Sequence, residues 1–262
     1  MSAVAGTRDA WRWIRRLGEL LVVGSVVAAF AGCGGQPRVF SGVAHATVAL
    51  INGSAADGNV RSSAFCGGVL MEDGGVVTAA HCVRDRALPD VLIGVDDLCG
   101  EVDAERRYSV TAIRVGSGSH RELAYLTLDR PIAAPVGVVV NDLEVDSLGY
   151  VAFGWGREVQ GGMRPCETKM LRLENTGSTD GCALDIAAAG LADIERSLLC
   201  LRPVPRSMNT CQGDSGGGVY EIRTDARLQL AGITLGGSGC GPEDDGLYLS
   251  RELVEDFVAN LR

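Results

Sequence analysis

The chain has 262 residues, of which 46% are hydrophobic and 22% are charged. This length and composition exclude an intrinsically disordered protein and allow a core of useful size. The formal net charge is −9, and without residues 1–38, which hold five arginines and two acids, 19 basic and 31 acidic residues leave a net charge near −12. Such a surface repels nucleic acid and anionic lipid, so we expect no nucleic-acid partner.

Residues 1–32 have the pattern of an export signal. Three arginines precede an apolar run over residues 20–31, which is short for a membrane span. Ala31-Gly32-Cys33 is similar to a bacterial lipobox, which would leave Cys33 as a lipid-bearing first residue. Cleavage after Ala31 and plain secretion is the alternative. We therefore expect an exported bacterial protein, either an outer-membrane or cell-surface lipoprotein or a secreted one, that touches a membrane only through this lipid.

Short strands, rather than helices, are predicted from residue 47 onward. The segments are rich in β-branched residues and are separated by Gly, Asn and Asp; they cover residues 48–51, 66–71, 75–78, 91–93, 108–113 and 123–128. This spacing favours an all-β sandwich or barrel. Residues 131–146 lead to a second half. Leu253, Val254, Phe257, Val258 and Leu261 stand at helical spacing, which predicts a closing helix over 251–261.

Two distant segments carry residues suited to nucleophilic catalysis. In Gly213-Asp214-Ser215-Gly216-Gly217, glycines permit a tight turn around a serine. A serine needs a general base to take its proton, and Thr78-Ala79-Ala80-His81-Cys82 offers His81. In this order the two segments resemble those of the trypsin/chymotrypsin family of serine endopeptidases. A turn without chemistry and a histidine that is only part of the core are the alternatives.

The resemblance covers residues 38–262 and implies a fold. It implies two packed six-stranded antiparallel β-barrels with the active site between them, followed by a C-terminal α-helix. The expected organisation is a signal peptide at 1–32, a linker or short propeptide at 33–38, and a peptidase domain at 39–262. The first barrel would cover about 39–140 and the second about 141–262.

The resemblance also implies roles for residues of the two motifs. Ser215 would form the acyl-enzyme, His81 would be the general base, and the backbone N–H groups of Gly213 and Ser215 would form the oxyanion hole. The substrate would be a polypeptide.

Two departures from the family concern the acid of the triad. The position of the usual aspartate holds Glu122, with Asp129 as the alternative acid, and the serine that hydrogen-bonds this carboxylate is replaced by Leu235. One hypothesis is that Glu122 reaches His81 and Leu235 fills the vacated space. The other is a degraded triad, in a catalytically weak or inactive protein that binds a protein partner.

The primary specificity pocket is implied by three residues. Asn209 stands six residues before the nucleophile, at the base of the pocket, and Gly237 and Gly246 match its walls. Members that cut after Arg or Lys carry aspartate at this base. Asn209 therefore predicts a preference for an uncharged, medium or large side chain, although Asp244 or Asp245 could bring negative charge near the mouth.

A zymogen is expected from the segment around Arg38 and Val39. In the family, a cut at this point creates a new N-terminus, whose amine pairs with the aspartate matched here by Asp214. An activating protease and a protein inhibitor are then expected partners; the alternative is that Arg38 is only a linker residue. If Cys33 carries lipid, the same cut would activate and release the protein.

Nine cysteines indicate an oxidising compartment. With Cys33 set aside, eight remain, which allow 105 pairings. The resemblance implies Cys66–Cys82, Cys182–Cys200 and Cys211–Cys240, and Cys99 and Cys166 are paired by elimination. We expect no cofactor and no metal; calcium in the acidic segment, with a solvated acidic face as the alternative, is a further hypothesis, and its acids are Asp96, Asp97, Glu101, Asp103 and Glu105.

Overall fold

The structure is a computed structural model that describes residues 46–53, 60–132, 147–205, 208–224, 228–237 and 239–261. The predictions made for Cys33, Arg38 and Val39, and for the signal and linker segments, lie outside these residues. The expected boundary between the two halves, near residue 140, also lies outside them.

Six strands form the first barrel, and Asn52, Gly116 and Asp129 directly follow three of them. They are β1 (Thr47–Ile51), β2 (Ala64–Leu70), β3 (Val76–Ala79), β4 (Asp90–Leu92), β5 (Arg107–Val115) and β6 (Leu123–Leu128). The barrel closes in the order β1-β2-β3-β6-β5-β4, with antiparallel pairing throughout. Short helices α1 (Val60–Ser63) and α2 (Ala80–Val83) and the 3-10 turns Ala104–Arg106 and Gly118–His120 lie between strands.

Six further strands form the second barrel. They are β7 (Ser147–Gly154), β8 (Lys169–Asn175), β9 (Leu198–Pro203), β10 (Gly218–Arg223), β11 (Leu228–Gly236) and β12 (Gly246–Ser250). The barrel closes in the order β10-β11-β12-β9-β8-β7, again antiparallel. Between β8 and β9 lie the 3-10 turn Asp180–Cys182, helix α3 (Ala183–Ala188) and the 3-10 segment Ala192–Ser197.

The closing helix α4 spans Arg251–Ala259. Leu253, Val254, Phe257 and Val258 are buried, so one face of the helix packs on the core as the spacing predicts. Among the described helices, none has the length and apolar character needed to span a membrane.

The two barrels share a hydrophobic core at their contact. Val69, Val77 and Leu123 of the first barrel belong to the same cluster of buried residues as Phe153 and Ile233 of the second. The end of β3, the start of β6 and the segment that enters β10 meet beside this core. The predicted fold, two six-stranded antiparallel barrels with a C-terminal helix, is confirmed.

Four disulfides are present. They join Cys66 to Cys82, Cys99 to Cys166, Cys182 to Cys200 and Cys211 to Cys240, which are the pairs expected from the sequence. The Cys99–Cys166 bond links a loop before β5 to a loop before β8, and therefore ties the first barrel to the second.

Candidate active site

The pairing of β3 with β6 brings His81 and Glu122 together. Ala79 is the register partner of Leu123, and the next amide, Ala80 N–H, donates to the carbonyl of Glu122 at 2.9 Å. His81 follows in α2, and its Nδ1 lies 3.2 Å from Glu122 Oε2. Two residues 41 positions apart in sequence thus meet at the ends of neighbouring strands.

The His81–Glu122 pair is partly exposed to solvent. The side chain of His81 is 41% exposed and that of Glu122 15% exposed. The hydrogen bond from His81 lowers the pKa of the Glu122 carboxyl, and the charge of Arg84 lowers it further, while burial acts in the opposite direction. Glu122 is therefore a carboxylate at neutral pH and can orient the imidazole.

Arg84 is part of this arrangement, although it belongs to neither of the two sequence motifs. Its Nη1 lies 3.5 Å from Glu122 Oε1, and its Nη2 donates to the carbonyl of Arg121 at 2.6 Å. The signal was present, since Arg84 lies three residues beyond His81, about one helical turn. The alternative acid, Asp129, instead accepts the N–H of Ser109 at 3.1 Å at the far end of β6.

The turn that carries Ser215 packs on the first barrel next to His81. Gly67 N–H donates to the carbonyl of Ser215 at 2.8 Å, and Cys82 Sγ lies 3.7 Å from the same oxygen. Gly216 has φ +82°, and a Cβ there would clash with Thr78 Oγ1 and the carbonyl of Gly67. Only glycine allows the turn to come so close to Gly67 and Thr78, and this close packing places Ser215 beside the segment that carries His81.

Two backbone N–H groups of this turn are open. Gly213 has φ +101°. Asp214 N–H donates to Cys211 O at 2.9 Å and Gly216 N–H to Thr234 O at 2.7 Å, whereas within the described part of the chain the N–H groups of Gly213 and Ser215 have no acceptor. Two nearby free donors are what an oxyanion hole needs.

The hydroxyl of Ser215 donates to the carbonyl of Leu235 at 3.2 Å. Its partner in this structure is therefore a backbone oxygen and not His81. The side chain of Leu235 is buried in the core shared by the barrels. Whether it compensates for the missing serine of the family stays a prediction.

The base of the predicted specificity pocket is neutral and hydrogen-bonded to the neighbouring backbone. Asn209 is fully buried. Its Nδ2 donates to the carbonyl of Asp244 at 2.6 Å, and its Oδ1 accepts Thr210 N–H at 2.7 Å. The amide therefore serves the local structure and offers no charge to a substrate.

The two neighbouring acids have local partners, and one of the two wall glycines is closely packed. Asp245 is buried and paired with Arg202, whose Nε and Nη2 lie 3.0 and 3.2 Å from its oxygens, and Asp244 Oδ2 accepts Gly241 N–H at 2.7 Å. A Cβ on Gly246 would lie 2.7 Å from the hydroxyl of Tyr248, and Gly237 is exposed. The negative charge considered for the mouth of the pocket is thus neutralised at Asp245.

The carboxylate of Asp214 is buried behind the serine turn. It accepts Gly156 N–H at 2.7 Å and Cys211 N–H at 2.9 Å, and Lys169 Nζ lies 2.8 Å from its Oδ2. The expected partner, the amine of Val39, lies outside the described residues, and the structure gives the carboxylate a lysine instead. Lys169 belongs to none of the sequence motifs, although the alternation of β8 places it on the same inward face as Leu171 and Leu173.

Arginines surround a cavity on the other side of the turn. The cavity has a volume of about 290 Å³ and is lined by Arg61, Ser62, Arg157, Met163 and Arg164. The guanidinium of Arg164 packs against Gly213, and burial, helped by the charge of Arg157, lowers its pKa. None of the described carboxylates forms an ion pair with these three arginines, so the cavity is suited to an anionic group.

The structure offers no complete set of metal ligands among the described residues. Two groups of three potential ligands converge, and each contains a disulfide, Cys66–Cys82 or Cys99–Cys166, whose sulfurs are not thiolates. In the acidic segment, Asp97 accepts Cys99 N–H at 2.7 Å and Asp103 lies 3.7 Å from Arg106. Calcium binding there stays a hypothesis, because among the described residues no three carboxylates of this segment converge.

Comparison with known proteins defines the class. The sequence profile of the family described as Trypsin matches residues 33–254, and the chain belongs to this family of serine endopeptidases.

Several insect proteins are similar to the chain. Serine protease filzig of Drosophila melanogaster is 31% identical over 75% of the chain, and serine proteinase stubble of the same organism is 28% identical over 67%. The vitellin-degrading protease of Bombyx mori is 29% identical over 77% of the chain and 79% of its own length. The chain spans only 12% and 24% of the lengths of the first two relatives.

Proposed function

We propose that the protein is a serine endopeptidase that hydrolyses peptide bonds through an acyl-enzyme on Ser215. The observation that carries this proposal is the hydrogen bond of His81 Nδ1 to Glu122, beside a serine turn with two open N–H groups. An imidazole that donates from Nδ1 keeps Nε2 free to accept a proton.

In the first half of the reaction, the Ser215 hydroxyl turns about its Cα–Cβ bond from Leu235 O to His81 Nε2. His81 takes the proton as Ser215 Oγ bonds to the substrate carbonyl carbon, and the carbonyl oxygen becomes an oxyanion that the N–H groups of Gly213 and Ser215 stabilise. His81 then gives its proton to the leaving amine, and the C–N bond breaks.

In the second half, water takes the place of the amine. His81 accepts a proton from this water as its oxygen attacks the acyl carbon, and the Oγ–C bond breaks with return of the proton to Ser215. Glu122 stays ionised throughout and stabilises the imidazolium, the role of the aspartate in the general template. No cofactor takes part.

A second candidate function is a protein-binding module of low or no activity. The observation that favours it is the hydrogen bond from the Ser215 hydroxyl to Leu235 O, which leaves the serine unpaired with its base. In this case the fold and the disulfides would be kept for recognition alone.

The preferred substrate is proposed from the neutral base of the pocket. Buried Asn209 offers no charge, and the carboxylate of Asp245 is already paired with Arg202. We therefore propose an uncharged, medium or large side chain before the scissile bond of a polypeptide.

Export is part of the proposal and depends on the sequence alone. The protein would be a bacterial one that leaves the cytoplasm with lipid on Cys33 or free after cleavage following Ala31. A cut between Arg38 and Val39 by an activating protease would separate it from such a lipid, and a protein inhibitor is a further proposed partner.

A fluorophosphonate probe separates the two candidate functions. Only a serine activated by a base reacts quickly, so we expect labelling of the native protein at Ser215 and none of the Ser215→Ala variant. A library of peptides then gives the preferred residue. Equal, background labelling of both proteins would favour the binding module.

A further inference from the structure

The chain contains one lysine and 23 arginines. That lysine, Lys169, is the first residue of β8, and its side chain is only 6% exposed. Its Nζ lies 2.8 Å from Asp214 Oδ2, whose side chain is 3% exposed, and donates also to the carbonyl of Arg157 at 3.1 Å. A lysine so deeply buried is stable only with a paired charge, and Asp214 provides it.

The partner of Lys169 controls the shape of the serine turn. Asp214 precedes Ser215, and its carboxylate holds the N–H groups of Gly156 and Cys211. Its own carbonyl accepts Gly217 N–H at 2.9 Å. Asp214 therefore holds both ends of the segment 211–217, Cys211 through its carboxylate and Gly217 through its backbone carbonyl, and this segment presents the open N–H groups of Gly213 and Ser215.

The resemblance assigns the charge opposite Asp214 to an amine that exists only after a cut before Val39. Lys169 already brings an ammonium to this carboxylate, and it does so from a strand of the barrel. Nothing in this contact depends on a free N-terminus. A second ammonium at the same buried carboxylate would be repelled by the first.

We propose that Lys169 is a positioning residue that holds Asp214, and through it the oxyanion turn, in the active form while the chain is uncut. The inference rests on the proposed endopeptidase function. It replaces activation by cleavage after Arg38 with activity of the single chain, so that this cut serves release or trimming and is not needed to form the site.

The test uses one chain in two states. A recognition sequence for a site-specific endopeptidase replaces residues 34–38, so that cleavage yields Val39 as the N-terminus, and intact mass confirms each state. Labelling of Ser215 by a fluorophosphonate and kcat and KM on a peptide are measured before and after the cut. We expect the uncut chain to be active and the cut to change kcat less than about threefold.

The variant Lys169→Met removes the ammonium. Loss of an ordered oxyanion donor costs about 10²–10³ in kcat, so we expect uncut Lys169→Met to lose about a hundredfold in kcat with a smaller change in KM. Cutting should restore kcat to within about tenfold of the parent, because the amine of Val39 can now pair with Asp214. A merely structural role for Lys169 would not produce this rescue.

Arg172→Met is the matched control, since Arg172 lies on the exposed face of the same strand. It should behave like the parent in both states. An uncut parent that is inactive and gains activity on cutting would overturn the inference whether or not Lys169→Met folds, and equal uncut activities of Lys169→Met and the parent would also overturn it. If no form labels at Ser215, the cut parent included, the proposed function fails as well.

Discussion

Each barrel contributes one carboxylate to the site, and the two differ in depth. Glu122 of the first barrel lies 3.2 Å from His81 and 3.5 Å from Arg84, and both of these partners are more than two-fifths exposed. Asp214 of the second barrel lies 2.8 Å from Lys169, and both side chains are almost fully buried. Both are carboxylates paired with basic side chains, but one pair is near the surface and the other is buried, and we expect the two pairs to have different roles.

The difference follows from the place of each pair in its barrel. Glu122 stands just before β6, where the sheet ends and solvent enters, and its fixed negative charge lies beside the imidazole of His81. Lys169 lies on the inward face of β8, and Asp214 is enclosed by backbone N–H groups. The Lys169–Asp214 pair holds the backbone of the serine turn in place, whereas the His81–Glu122 pair serves proton transfer from Ser215.

The largest effect is expected from Asp214→Ala, which leaves the Lys169 ammonium buried without its counter-charge. Breaking a buried pair from one side costs about 3–5 kcal/mol. We expect a loss of this size in the free energy of unfolding, measured by chemical denaturation with the disulfides intact. Asp103→Ala, at a highly exposed acid, is the control and should change stability by less than about 0.5 kcal/mol. A small loss at Asp214 would mean that the depth of the pair does not matter.

The next effect is catalytic and concerns Glu122→Ala. Loss of the triad carboxylate costs about 10⁴ in kcat in the general serine protease template, and we expect a fall of at least about a hundredfold here. Steady-state kinetics on a peptide substrate measures it. Asp129→Asn, at the alternative acid, should leave kcat within about twofold. Unchanged turnover of Glu122→Ala would remove this residue from the triad.

Arg84→Gln should have a smaller effect on the same pair. Arg84 lies 3.5 Å from Glu122 Oε1 and is 45% exposed, and exposed pairs contribute at most about 1 kcal/mol. We expect kcat to fall by up to about fivefold, and the difference from the wild type to shrink at about 1 M salt because salt screens the charge. Arg86→Gln is the control. A loss as large as that of Glu122→Ala would show that the arginine, rather than the histidine, determines the state of the carboxylate.

The smallest expected effect is a change of stability with pH. The pKa of Glu122 is lowered in the folded chain, so its contribution is complete above the ordinary glutamate pKa of about 4.3 and disappears as the pH falls through the lowered value. The difference in unfolding free energy between the wild type and Glu122→Gln should therefore be constant near neutral pH and decrease toward pH 3. Chemical denaturation at several pH values measures it. A difference that grows on acidification would contradict the direction of the shift.

Local patterns predicted an all-β sandwich or barrel, and the resemblance of the two motifs to the family implied the two six-stranded barrels. β-Branched segments separated by Gly, Asn and Asp placed the six strands of the first barrel near their observed bounds, whereas β8 to β12 were not predicted individually. The helical spacing of Leu253 and Phe257 predicted α4. The distance between His81 and Glu122 in sequence matched the family, and the register of β3 on β6 supplies its physical reason. The disulfide that includes Cys99 needed only elimination.

The contacts that depend on side-chain direction could not be predicted in the same way. The resemblance assigned Asp214 a partner that exists only after a cut before Val39. Motif comparison does not show that Lys169 of β8 lies next to this carboxylate. Arg157 and Arg164 lie on loops, where periodicity gives no direction. The orientation of the Ser215 hydroxyl toward Leu235 is a rotamer, which no sequence pattern encodes.

The position of the single lysine has a practical consequence for handling the protein. With its one ε-amine enclosed behind the serine turn, the folded chain presents no lysine to reagents such as succinimidyl esters. A dye, a bead or a polymer coupled by this chemistry would attach at the α-amino group, and every molecule would be tethered by the same end.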